Sequence, residues 1–187
     1  MKKLNTEVVS KKWVEKFRKN RKTDIINWLK KWESSTDLEL ALDSKHFFLE
    51  GSYLDDISKK IIRQTESEVL IVNPYVYDCD LSNTLRKASN NGREVVLITR
   101  KPEKIPDQKY HQILKDEGIT LVYNKKVHAK LIVRDRAIAI IYSMNFYSGS
   151  SAGVSWEAGI VSIEDTTVEK ITDSILTLRE RPESIER

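Results

Sequence analysis

The chain has 187 residues, 40% hydrophobic and 32% charged, which suits one folded domain plus an appendage and excludes a disordered polyelectrolyte. The longest apolar run, Ala137–Tyr142, falls far short of the ~20 residues that cross a bilayer, and no apolar stretch follows Met1-Lys2-Lys3 as a secretory signal requires. The net charge of +4 hides an asymmetry: residues 1–31 hold eleven Lys/Arg against three Asp/Glu, while the remainder holds 21 against 25.

Such a basic block is drawn to polyanions, either nucleic acid or an anionic membrane, although a charge run alone also fits a solvated helix face. The single Cys79 excludes an internal disulfide and a cysteine-built zinc site. A reducing cytoplasm is the expected location.

Two amphipathic helices are predicted first. Val9, Trp13 and Phe17 recur at helical spacing, as do Ile25, Trp28, Leu29 and Trp32, with Lys and Arg on the opposite faces. Residues 34–37, Ser-Ser-Thr-Asp, read as a linker. Leu38–Leu42 fits either a strand, by alternation, or a helix with Thr36 and Glu39 as a capping box. Residues 1–44 are therefore expected to form a basic helical extension and residues 45–187 a second domain.

From Lys45 the pattern alternates between strands and helices. Strands are predicted at His46–Leu49, Glu68–Asn73, Glu94–Thr99, Thr120–Tyr123, Val127–Val133, Ala137–Ser143 and Ser155–Ser162. Helices are predicted near Tyr53–Thr65, Leu81–Asn90, Asp107–Glu117 and Thr166–Arg179, with Asn91-Gly92 and Gly118 as stop signals. Continuous Val/Ile runs such as Val69–Val72 read as strands buried on both faces. The fold class is α/β, a mixed sheet flanked by helices with an N-terminal helical extension.

Chemistry concentrates in the last strands. If residues 127–133 form a strand, His128 and Lys130 share a face, setting an imidazole beside a fixed cation. Ser143 and Asn145 share a face at the end of the following strand. Pairing across the short Arg134-Asp135-Arg136 connection would bring all four polar groups together. Glu157, twelve residues after Asn145, supplies a carboxylate to orient one imidazole nitrogen and leave the other free to attack.

These spacings resemble the HKD signature of the phospholipase D superfamily, H-x-K-x4-D-x6-G-S-x-N, here carried by His128, Lys130, Asp135, Ser143 and Asn145, with the downstream glutamate at Glu157. The Phe48–Ser52 turn, its helix and Val69–Val72 also resemble the family's opening β-α-β, so the resemblance spans about residues 46 to 180. At average residue usage the six residues would coincide at these offsets in well under ~1 in 10,000 such chains. One position departs from the signature: Tyr142 stands where the family has glycine. By strand parity Tyr142 points opposite to Ser143 and Asn145, into the core.

The resemblance implies a phosphodiesterase that needs no metal or other cofactor. His128 would be the nucleophile, Lys130 and Asn145 would hold the phosphate, Glu157 would orient the imidazole and Ser143 would contact substrate. Asp135 falls in the turn and is read as structural; His46 and His111 have no comparable setting and are read as structural or exposed. One motif per chain, where family sites use two, implies a homodimer with the site at its interface. The basic arm and the small single-motif format favour a nuclease acting on DNA or RNA. A phospholipid phosphodiesterase is the runner-up, and a non-catalytic nucleic-acid-binding module is a third reading.

Overall fold

A computed structural model describes residues 22–31, 40–151 and 155–186. The chain divides into two units, Met1–Leu40 and Ala41–Arg187. In the first, residues 22–31 form a helix, α1, with Ile25 and Leu29 buried and Lys30 and Lys31 exposed. The helix predicted around Val9–Phe17, the linker at 34–37 and Trp32 lie outside the described residues.

The second unit is a mixed eight-stranded sheet flanked by helices. In chain order its elements are β1 (His46–Glu50), α2 (Gly51–Arg63), β2 (Glu68–Val72), α3 (Asp80–Asn90), β3 (Glu94–Thr99), α4 (Ile105–Asp116), β4 (Thr120–Tyr123), β5 (Leu131–Arg134), β6 (Ile138–Tyr142), α5 (Ser148–Ser151), β7 (Ala158–Ser162), α6 (Asp165–Arg179) and β8 (Ile185–Glu186). The strand order is β1-β7-β6-β5-β2-β3-β4-β8. Strands β2, β3 and β4 are parallel neighbours and the remaining pairs are antiparallel.

Helices cover both faces, which is why the central strands read as unbroken apolar runs. On one face Leu70, Val72, Val96, Ile98, Val122, Val133 and Ala139 pack with Val168 and Ile175 of α6. On the other, Ile71, Leu97, Leu121, Ile132 and Ile140 are fully buried, where α2 meets β1, β5 and β7, α3 meets β3, and α4 meets β4. Glu164 starts α6 by accepting the Thr167 and Thr166 backbone N–H groups at 2.6 and 3.1 Å. Those bonds pull its carboxyl down to about 2.

The predicted stops hold: α3 and α4 are followed by Gly92 (φ 76°) and Gly118 (φ 84°), the left-handed conformation that closes a helix at little cost in glycine. Helix α4 begins at Ile105, two residues earlier than expected, because Pro106 in its first turn needs no hydrogen-bond partner for its nitrogen. Residues 40–42 are not helical, and Ala41 bridges Phe47. Two short elements, α5 and β8, were not expected. β8 is too short for any periodicity and exists by pairing with the edge of β4.

The β5 prediction needs correction. Residues 127–130 lie outside the strand, which begins at Leu131. A turn, with Val127 N–H donating to the Asn124 carbonyl at 3.2 Å, leads into them. Only the Lys130 carbonyl joins the ladder, accepting the Tyr142 N–H at 3.2 Å. Strand alternation therefore does not govern His128, and Ala129 beside it is exposed as well.

Candidate active site

Strand register assembles the site. β5 runs antiparallel to both β2 and β6, with Leu131 opposite Val72 and Ile141. β7 pairs with β6 so that Gly159 faces Tyr142. The segment entering β5 (His128, Lys130), the segment leaving β6 (Ser143, Asn145) and the segment entering β7 (Glu157) thus share one end of the sheet. The carboxyl ends of β2, β3 and β4 open at the same end, where open α/β sheets bind ligands.

Hydrogen bonds fix these segments to one another. Ser143 N–H donates to the Ala158 carbonyl, and Ala158 N–H to Ser143 Oγ, both at 3.0 Å. Gly51 N–H donates to the Glu157 carbonyl at 2.8 Å, tying the start of β7 to the β1–α2 junction. Ser143 Oγ donates to Glu157 Oε2. Lys130 Nζ reaches the His128 carbonyl at 3.3 Å. Among the described residues, the expected hydrogen bond between the Glu157 carboxylate and the His128 ring is not formed: the ring is exposed and has no partner, while the carboxylate takes the serine hydroxyl. Asn145 has a buried Oδ1 without a hydrogen-bond partner, a costly arrangement in a fold that satisfies most of its polar atoms.

Tyr142 packs inward as parity requires. It is buried, stacks on Phe146 at 6.4 Å between ring centroids and lies 3.4 Å from Asn73 Nδ2. Burial pushes its hydroxyl far above the usual tyrosine range. The neighbouring backbone is close: a Cβ on Gly159 would meet the Ile141 carbonyl oxygen at 2.8 Å.

Asp135 lies at the far end of the hairpin. It and Arg136 have φ near 50°, and Ala137 N–H closes the turn on the Arg134 carbonyl at 2.9 Å. Its carboxylate accepts the Ser67 N–H and hydroxyl, each at 2.8 Å, and the Glu66 and Glu68 N–H groups at 3.1 Å. It also pairs with the buried Arg134 guanidinium at 3.1 Å. Burial alone would raise its pKa, but the hydrogen bonds, those from Ser67 foremost, hold it below the usual carboxylate value.

The other two histidines sit elsewhere. His46 pairs with Asp43 at 2.9 Å. His111 is buried, with Nε2 at 3.0 Å from the Val76 carbonyl and its ring stacked on Tyr123, and burial lowers its pKa. Among the described residues no cluster of three or more His, Cys, Asp or Glu is placed to hold a metal ion, and no helix is long and apolar enough to cross a membrane.

Two supporting residues had no signal in the motif. Fully buried Asn73 donates from Nδ2 to the Met144 carbonyl at 3.1 Å, bracing the turn between Ser143 and Asn145. Arg100 donates from Nε to the Val127 carbonyl at 2.6 Å, immediately before His128. A polar residue following a buried strand, as Asn73-Pro74 and Arg100 do, was the available hint.

Residues 59–178, well over half of the chain, match the family described as cardiolipin synthase, phospholipase D-like domain. No curated protein sequence matches. Among solved structures, the phospholipase D family member Nuc from Salmonella typhimurium superposes with a TM-score of 0.65 at 13% identity, over 76% of this chain and 99% of that one. NucT from Helicobacter pylori gives 0.64 at 13% identity with the same coverages. TrmBL2, an archaeal chromatin protein with a novel mode of DNA binding, gives 0.57 at 14% identity, over 97% of this chain and 72% of its own. Fold, family match and motif agree: the chain belongs to the phospholipase D superfamily, a group of phosphodiesterases and phosphotransferases.

Proposed function

We propose that the protein is a nuclease that cleaves DNA or RNA without a metal ion, through a phosphohistidine intermediate in a site shared by two copies of the chain. The observation that carries this reading is the meeting, at one end of the sheet, of Lys130, Asn145 and His128, whose exposed ring has no partner among the described residues. An imidazole, an ammonium and a carboxamide at one place supply a nucleophile and two donors for the oxygens of a phosphodiester.

His128 of one copy attacks phosphorus in line, forming the N–P bond as the P–O ester bond breaks. His128 of the second copy donates its proton to the departing oxygen, then takes one from the water that cleaves the N–P bond. Lys130 and Asn145 of both copies hold the non-bridging oxygens and offset the charge that builds in the transition state. Glu157, braced by Ser143, is the carboxylate that orients an imidazole once phosphate is bound.

A row of apolar side chains supports the dimer. Phe48, Ile160 and Ile141 sit opposite one another on three adjacent strands and remain exposed, two residues along from Ala158 and Ser143. A second copy seated there covers apolar surface and brings its own His128 to the same mouth. The basic extension, residues 1–44, supplies attraction to the polyanion.

The test is incubation with single- and double-stranded DNA and RNA in EDTA, beside His128→Asn. Cleavage by the wild type and a loss on the order of 10³-fold or more in the mutant are expected. Undiminished cleavage by the mutant removes His128 from the mechanism. A fully active monomer removes the shared site.

The alternative of a phospholipid substrate draws on Trp156, which stands 74% exposed beside Glu157, and on the description of the matching family. Flotation with anionic liposomes and release of a lipid headgroup, without nucleic-acid cleavage, would favour it.

A further inference from the structure

Beyond the phosphate-holding residues, the same end of the sheet carries a second feature. The loops after β2 and β3 enclose a cleft of about 270 Å³. Its walls are joined to the candidate site on both sides. Arg100 is bonded to the carbonyl of Val127, the residue before His128. Phe146 N–H, the residue after Asn145, donates to the Tyr75 carbonyl at 3.1 Å, and Tyr77 N–H to the Phe146 carbonyl at 2.8 Å.

The lining has two chemistries. Tyr75, 41% exposed, offers a ring with the Arg100 guanidinium 5.6 Å from its centroid and Arg100 Nη1 3.1 Å from its hydroxyl. That contact, made at the hydroxyl edge of the ring, holds the two planar groups side by side before any ligand arrives. Lys101 and Lys104 extend the cationic side, while Glu103 and Asp107 limit the cleft's net charge to a small positive value. The volume lies at the lower end of ligand pockets, which begin near ~300 Å³, so it has room for a single base and not for paired acyl chains. An aromatic face backed by a guanidinium, with lysines alongside, is the combination that holds single-stranded nucleic acid: the base stacks and the backbone follows the cations.

We infer that this cleft is a nucleotide subsite, in which Tyr75, ordered by Arg100, stacks on an unpaired base next to the scissile phosphate while Lys101 and Lys104 hold neighbouring phosphates. The inference rests on the nuclease reading and narrows it to substrates with unpaired bases.

The test uses the full chain carrying His128→Asn to measure binding of a labelled single strand and of an abasic strand of equal length. Cleavage by the His128-containing protein is measured in parallel. Tyr75→Leu is expected to weaken binding of the base-bearing strand about tenfold, the order expected for one stacked base, and to leave the abasic strand unchanged. Tyr75→Phe, which keeps the ring, retains wild-type affinity. Joint replacement of Lys101 and Lys104 by serine weakens both strands alike and flattens the salt dependence by about 0.7 in log–log slope for each phosphate no longer neutralised.

Equal weakening of both strands by Tyr75→Leu, or an equal loss in Tyr75→Phe, overturns the stacking subsite. If binding follows the expected pattern while neither strand is cut by the wild type, the subsite stands and the nuclease reading falls. If strands are cut but Tyr75→Leu changes nothing, the subsite alone falls.

Discussion

At the turn end of the β5–β6 hairpin, Asp135 accepts hydrogen bonds from the backbone of residues 66–68 and pairs with a buried arginine. At the open end, neither the His128 ring nor the buried Asn145 Oδ1 has a hydrogen-bond partner among the described residues. All three residues belong to one sequence motif, yet they work on opposite terms. The saturated end locks strand register: the donors from Glu66, Ser67 and Glu68 hold the hairpin against the start of β2. The other end leaves the His128 ring to solvent and, among the described residues, Asn145 Oδ1 without a partner, the latter at some cost in stability. Motif membership does not by itself say which residues are locked into the framework; hydrogen-bond saturation does.

The contrast can be broken most sharply at Asp135. Asp135→Asn keeps a residue type that tolerates positive φ but strands the buried Arg134 charge. It is expected to cost about 3–5 kcal/mol in denaturant unfolding, the range for removing one member of a buried ion pair. His128→Asn should stay within about 0.5 kcal/mol of the wild type, as exposed substitutions do. Comparable losses in the two variants would erase the distinction.

Asn145→Ala is the next test. On the proposed mechanism it removes a donor to the phosphate and should lower kcat by roughly 10²–10³-fold, as losing one charge-stabilising donor does. Because the orphaned oxygen disappears with it, thermal stability should hold or rise. A marked fall in melting temperature would assign Asn145 to the framework instead.

The smallest effect is on pH dependence. Asp135 titrates below its ordinary value when folded, so the stability it contributes is present above pH ~4 and is lost as pH falls through its folded pKa. His111, buried with a lowered pKa, stabilises as a neutral ring above about pH 6.5 and loses that contribution as pH falls through its own folded value. Melting curves from pH 7.5 to 3 should therefore decline in two stages. His111→Gln should remove the upper stage only. A single stage unaffected by that substitution would disprove the assignment.

Much of this was legible from residues alone because it depends on local periodicity. Val69–Val72 reads as a strand covered on both faces and Glu94–Thr99 as a strand, and Gly92 and Gly118 mark where α3 and α4 end. Tyr142 was placed inward by parity, and the structure buries it. Parity misled at His128 because the Asn124–Val127 turn delays entry into the ladder, and no local pattern announces that delay. The Glu157 carboxylate was expected on the imidazole and is found on Ser143, a choice made by the β6–β7 pairing across fourteen residues of sequence.

The order and spacing of side chains along single strands thus settled the family, the α/β architecture and the candidate residues. Tertiary structure alone decided which end of the sheet each residue occupies, which polar atoms are saturated, and that Tyr75 and Arg100 stand beside the candidate site. The reason is physical: alternation and helical period are properties of consecutive residues, whereas hydrogen-bond saturation depends on partners brought together by strand pairing, such as Asp135 with Ser67 and Arg100 with Val127.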